Sequence, residues 1–169
     1  MAAPLFSTNA HRYDPYRTFK FQVVIDGQTV AGLSKMSALK KTTEAVPWRY
    51  AGDPSHERKM PGGTSYEPVT LEQGLSHDPV FEDWANLVNN IDGDAAVSLL
   101  NYRKPVVLNV FNLQGAVAFS YKLRGAWVSE FQALPDFDAN SMNTVGIQTL
   151  KIEHEGWQRD ASVAEPTET

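Results

Sequence analysis

Apolar and polar positions begin to alternate abruptly at Thr18. Phe19, Phe21, Val23 and Ile25 fall on one side and Thr18, Lys20 and Gln22 on the other, the two-residue period of a strand with one apolar face. Asp26-Gly27 is a tight-turn signal, so Thr29 to Met36 is expected to return as the hairpin partner. From Ser37 to Tyr50 the apolar density falls, and Lys40, Lys41, Thr42, Thr43 and Glu44 stand in a row. The simpler reading of this segment is a solvated loop; the alternative is a strand with two polar faces. Pro47 to Tyr66 is dense in Pro, Gly and charge and is expected to be a long loop inside a β pattern, an arrangement that compact domains keep mainly for function. Val69, Leu71 and Gln73 against Thr70 and Glu72 restore a strand, expected to reach Leu75.

One helix is expected, over about residues 79–91. Asp78 can cap free amides and Pro79 suits the first helical position. Val80, Phe81, Trp84, Leu87, Val88 and Ile91 form one stripe at helical spacing, and Gly93 is a stop. A stripe of this kind predicts a packing helix laid on a sheet, with Trp84 in the core. Val106 to Asn112 then reads as a strand, Gln114-Gly115 as a turn, and Val117, Phe119, Tyr121 and Leu123 as the apolar side of its partner. Trp127 to Leu134 continues as a strand until Pro135. Val145 to Glu155 closes the pattern, with a change of phase between Ile147 and Leu150 that calls for a bulge or burial on both faces. Phe19, Phe21, Trp84, Phe119 and Trp127 are the expected core aromatics. The pattern predicts a mainly β fold: two packed antiparallel sheets forming a partly open barrel with one flanking helix.

Composition narrows this picture without redirecting it. The 169 residues suit a single domain spanning 1–169, with an N-terminal arm over 1–16 and a polar tail over 160–169 expected to be flexible or draped. A net charge of -5 argues against sequence-independent nucleic-acid binding, which needs a clustered basic face. The absence of cysteine excludes disulfides, thiolate metal sites and a cysteine nucleophile. The first twenty residues lack the basic start and apolar run of a signal peptide, and no window is long enough for a membrane helix. Synthesis in the cytoplasm with no membrane anchor is therefore expected, and release by lysis is left open.

Candidate chemistry is thin. His11, His56, His77 and His154 share no metal-pair spacing. Asp53, His56 and Glu57 are near enough in sequence to chelate a metal, and a small metal-dependent hydrolase built on them is one alternative; a hydrophilic loop is the plainer account. Asp136 and Asp138 flank Phe137 and could pair for acid-base work, but their setting suits turn and capping chemistry better. Met60-Pro61-Gly62-Gly63 has glycines without the following Lys and hydroxyl of a phosphate loop. No cofactor, metal or catalytic residue is expected, and the protein is not expected to be an enzyme.

A series of short motifs, in order, carries a resemblance. They are Phe19 to Gly27, Val30 to Leu39, Tyr50 with Gly52-Asp53-Pro54, Arg58 to Gly62, Tyr66 to Gly74, and Phe81 with Trp84. Further on come Gly125 to Val128, Pro135 with Asp138-Ala139-Asn140, Ile147 to Leu150, and His154-Glu155-Gly156. From about Tyr16 to Asp160 the chain resembles the tail-tube protein family of contractile phage tails. The run Ser129 to Pro135 and the Lys40-Lys41 segment are most similar to extracellular injection tubes.

The resemblance implies a fold shared with injection-system inner tubes and with the Hcp protein of type VI secretion. It implies hexameric rings that stack into a hollow tube and are driven through a target envelope when a sheath contracts. The implied partners are further copies of the chain, the sheath protein, baseplate and tube-terminating proteins, and a cargo or tape-measure protein in the lumen. The implied location is a phage tail or tail-like particle. Open sheet edges and head-to-tail contacts suit such an assembly. Arg49, Tyr50, Asp53, Arg58, Lys59, Met60, Pro61, Gly62 and Tyr66 are then expected in an inter-subunit or inter-ring loop. The polar run becomes a strand with one face toward the lumen, where Lys40, Thr42, Glu44, Thr70 and Glu72 are the candidates. A monomeric β-barrel binding module or effector is the competing reading.

Overall fold

The computed structural model describes residues 15–167; His11 and all but the last two residues of the expected N-terminal arm lie outside them. In chain order the elements are β1 (Phe21–Ile25), β2 (Gln28–Thr29), β3 (Leu33–Met36), β4 (Lys41–Trp48), β5 (Arg58–Tyr66) and β6 (Val69–Gly74). They are followed by α1 (Val80–Val88), a 3-10 turn at Asp94–Ala96, β7 (Lys104–Phe111), β8 (Val117–Gln132), β9 (Ile147–Glu153) and β10 (Gly156–Arg159). All the strand pairs are antiparallel.

Strand β8 belongs to two sheets. Its first half lies between β7 and β10, and its second half pairs with β9. The register passes from Val106 opposite Leu123 to Lys104 opposite Ala126, so one extra residue enters β8 beside Gly125, whose φ is 61°. That bulge bends the strand and moves the core-facing side from Leu123 to Ala126 and Val128. One sheet runs β2-β1-β7-β8-β10 and the other β8-β9-β6-β3, with β3 at an open edge. The sheets are packed and strongly bent without closing into a barrel.

Facing rows build one core. Val23, Ile25, Val106, Leu108 and Leu123 meet Val69, Leu71, Val128, Leu150 and Ile152. Phe81 and Trp84 of α1 are fully buried in the same cluster, and complete burial of a large apolar side chain contributes about 1.5–3 kcal/mol. The Trp84 indole Nε1 donates to the Tyr102 carbonyl at 2.8 Å, so its buried donor is met. Asp78 Oδ1 accepts from the Val80 N–H at 3.2 Å and so meets one free amide of the first turn, while Pro79, expected at the first helical position, is itself the N-cap and makes no side-chain cap bond. Phe21 packs at the margin of the core.

Several expectations are corrected. The hairpin partner is short: Gln28 and Thr29 pair with β1 and the Val30 N–H adds a bond to the Val23 carbonyl; the Val30 side chain then sinks into the core and Gly32, at φ 71°, redirects the chain so that β3 joins β6 in the second sheet. Ser37 to Tyr50 is mostly strand β4, not a loop, and the long loop expected over 47–66 is reduced to residues 49–57, with 58–66 forming β5, the partner of β4. The helix ends at Val88, and Ile91 is fully exposed. Phe19 lies before β1 and is 60% exposed. Phe119 is half-buried outside the core, with Tyr16 against its edge and Arg159 over its face. Trp127 is half-buried on the side of β8 opposite Ala126 and Val128.

The phase change near Ile147 has a different cause from the two expected. The core-facing side of β9 begins at Gln148, which is buried with Gln73. Gln148 Nε2 donates to Gln73 Oε1 at 2.8 Å, and Gln73 Nε2 donates to the Ala31 carbonyl. A satisfied amide pair therefore stands where the apolar pattern breaks. At the C-terminal end the Asp160 N–H donates to the Ser120 carbonyl at 2.8 Å, which fastens the first residue of the polar tail to β8.

Candidate functional site

Strands β4 and β5 form a two-stranded sheet of their own, joined to the rest of the protein at one end. Nearly every residue of the hairpin is exposed. Eight residues of strand extend about 25 Å, and an isolated hairpin of that length is marginal without further support. Three local devices supply some. At mid-length Thr43 and Thr64 face each other with their hydroxyls 2.9 Å apart. Next to them the register slips, with Glu44 opposite Gly62 and Gly63. A Cβ on Gly62 would stand 2.8 Å from Val46 Cγ2 and 3.3 Å from the Glu44 carbonyl oxygen, so this bulge requires a glycine where the two chains come closest.

The tip is an ordered cluster. The Asp53 carboxylate accepts from the Tyr50 N–H at 2.9 Å and from Arg58 Nη2 at 2.8 Å, while Arg49 Nη2 donates to the Asp53 carbonyl at 3.0 Å. The Arg58 guanidinium lies 5.3 Å from the Trp48 ring centre and 5.9 Å from that of Tyr50. These two rings meet edge to face at 4.6 Å. Cation and ring attract through the ring's quadrupole, and the edge-to-face contact uses the same charge distribution. The tip thus presents aromatic and basic groups already set in place.

The root is the third device. Tyr66 packs against His154 and Trp157, with ring centres 5.8 and 6.4 Å away, and covers Gly156. Lys41 Nζ lies 5.8 Å from the Trp157 ring centre. Lys40 pairs with Glu67 at 3.0 Å, and His154 Nε2 bonds the Glu67 carbonyl at 2.9 Å. A carbonyl only accepts, so His154 Nε2 carries the proton in that bond.

Arg49, Tyr50, Asp53 and Arg58 are therefore brought together at the tip, and Lys59, Met60, Pro61 and Gly62 continue along β5. Tyr66 belongs to the root and works inside the subunit. The lumen candidates do not share one face. Lys40 is at the root, and Thr42 and Glu44 are on the hairpin. Thr70 and Glu72 lie on the non-core side of β6, beside Lys151 and Thr149 of β9. Trp48, Lys41, His154 and Trp157 were not expected to take part; the alternation of Val46 with Trp48 was the one available signal. Asp53 is engaged by Arg58 rather than by His56 and Glu57, and among the described residues no three His, Asp or Glu side chains are grouped to hold a metal. Asp138 Oδ1 accepts from the Asn140 N–H at 2.9 Å, as turn chemistry predicts.

Residues 17–158 match the family described as T4-like virus tail tube protein gp19. The chain belongs to that family. As a tail tube protein it is a structural tube subunit, and the same fold is found in solved contractile injection machines. It is similar to a chain of the anti-feeding prophage baseplate, 6-fold symmetrised, at 19% identity over 88% of this chain and 97% of that one, with a TM-score of 0.72. It is also similar to a chain of the PVC extracellular contractile injection system, from its sheath-tube complex in the extended state. There the identity is 19%, the coverage 87% and 92%, and the TM-score 0.71. Hcp1 from Flavobacterium johnsoniae shares the fold at 17% identity over 83% and 94% of the two chains, with a TM-score of 0.53. No curated protein sequence matches this tail tube protein.

Proposed function

We propose that this tail tube protein forms hexameric rings that stack into a hollow tube, with the β4–β5 hairpin as the joint between subunits. The observation that carries this reading is a hairpin that is exposed along nearly its whole length, yet rooted by aromatic packing and ordered at its tip. An arm with so little contact to its own body gains stability by burial against another subunit. Rotation of one head-to-tail contact closes a ring, and a second contact along the axis extends it into a filament.

The tube works by being rigid and conducting cargo, without catalysis. The family, together with the sheath-tube, baseplate and cap complexes that hold similar chains, supports a place inside a sheath and between a baseplate and a terminating protein. Its location is a phage tail or tail-like particle.

Replacing Met60-Pro61-Gly62 with a flexible Gly-Ser linker is expected to leave the subunit folded and abolish tubes. Circular dichroism and thermal unfolding report the fold, and negative-stain electron microscopy reports the tubes. Normal tubes from that variant would refute the hairpin as joint.

A further inference from the structure

The hairpin root and one exposed apolar segment lie at opposite ends of the β8-β9-β6-β3 sheet. In the β8-β9-β6-β3 sheet, Val69, Ile152 and Val128 form the row nearest the hairpin root, where Glu67 bonds Lys40 and His154. Gly74 opposite Ile147 is the last pair at the other end, five residues or about 17 Å further along. The segment 133–146 connects β8 to β9 there, and the Leu75 N–H donates to the Gly146 carbonyl at 2.9 Å to hold it. Leu134, Phe137, Met142 and Val145 of this segment, together with Leu75, are all exposed. Five exposed large apolar side chains on and beside one segment mark an interaction surface.

Charge indicates what covers it. Residues 133–146 contain no Lys, Arg or His and carry Asp136 and Asp138. Toward the hairpin tip Tyr50 and Met60 are exposed, and residues 48–60 carry Arg49, Arg58 and Lys59 against Asp53 and Glu57, a net positive charge that complements the acidic segment. We infer that the 133–146 segment of one subunit is the receptor for the β4–β5 tip of a second copy of this chain. The inference rests on the reading of the hairpin as an assembly joint and names the surface it joins.

Placement at opposite ends gives the contact its consequence. A subunit whose receptor is filled still extends its own hairpin, so each addition exposes the next joint and the series does not saturate at a dimer. Another exposed apolar group, Ile91, Leu99 and Leu100, fits less well. It leads into Arg103, which bonds Gly125 and Glu155, and these lie at the hairpin's own end of the sheet. Contact there would bring like ends together.

The absence of cysteine makes the test direct. Met60→Cys and Phe137→Cys subunits are prepared separately, mixed, assembled and oxidised, and covalent dimers are read on a non-reducing gel. Lys59→Cys with Asp136→Cys is a second pair in case the first disturbs packing, and Met60→Cys with Leu99→Cys is the control. Dimers in either test mixture, and none in the control, are the expected result. Tubes that form without dimers in both test pairs, or with dimers in the control alone, would overturn the receptor assignment and leave the tube reading standing. Wild-type protein that gives no assembled species by electron microscopy would overturn both.

Discussion

Gly125 shows how much of the architecture can hang on a single residue. At φ 61° it occupies the left-handed region, where an L side chain costs about 1–2 kcal/mol. A Cβ there would lie 2.8 Å from Glu155 Oε2 and 3.2 Å from Arg103 Nη1. Glu155 is exposed enough to swing away, at the expense of its 2.8 Å bond with Arg103. Gly125→Ala is therefore expected to destabilise the subunit by about 1–2 kcal/mol, read as a lower urea midpoint with unchanged slope. An unchanged midpoint would show that the bulge does not depend on glycine. At this scale the sequence was legible where one residue meets one environment. Trp84 falls on an apolar stripe and is buried, and Asp78 meets a free amide at the start of the helix it precedes. Phe19 was illegible because alternation gives the side of a strand and not where the strand begins, and Trp127 because the bulge two residues earlier had reversed the side.

The hairpin was the hardest element to see, for a physical reason. Periodicity reports burial, and a strand exposed on both faces leaves none, so Lys41 to Thr43 looked like solvated loop. Pro47 and Pro61 and the glycines at 62 and 63 strengthened that impression. In a two-stranded sheet each chain has a free edge, and a proline there need not break a ladder bond. The tip illustrates the same point, because Asp53 and Arg58 read as loop charges until their 2.8 Å bond is known. Asp53→Ala removes the acceptor for both Arg58 and the Tyr50 N–H. The Asp53 side chain is only 11% exposed, against 51% for Arg58, so losing an acceptor for two donors is expected to lower stability by about 1–3 kcal/mol. Amide exchange across residues 48–58 of the unassembled subunit is expected to accelerate several-fold, measured by mass spectrometry on matched peptides. Unchanged exchange there would mean that the aromatic contacts alone order the tip.

For the whole molecule, the ordered motifs from Phe19 to Gly156 pointed to the tail tube family, and the family match over 17–158 bears that out. The joints between subunits left no comparable trace, since residues from separate copies have no common spacing in one chain. Charge offers a way to examine them. Residues 40–67 hold five basic and four acidic side chains, in a chain of net charge -5, so the acidic surplus lies on the body. Two subunits repel over long distances while an arm and a receptor segment attract at contact. Salt separates the two, because the Debye length shortens from about 30 Å at 0.01 M to about 10 Å at 0.1 M. Body repulsion acts across the longer distance and is screened first, whereas groups in van der Waals contact exclude the ions that would screen them. Raising salt across that range is expected to lower the subunit concentration at which light scattering detects assembly. A rise instead would mean that attraction at the joint is itself long-ranged and outweighs repulsion between the bodies, leaving apolar contact at Met60 and Phe137 a minor contributor.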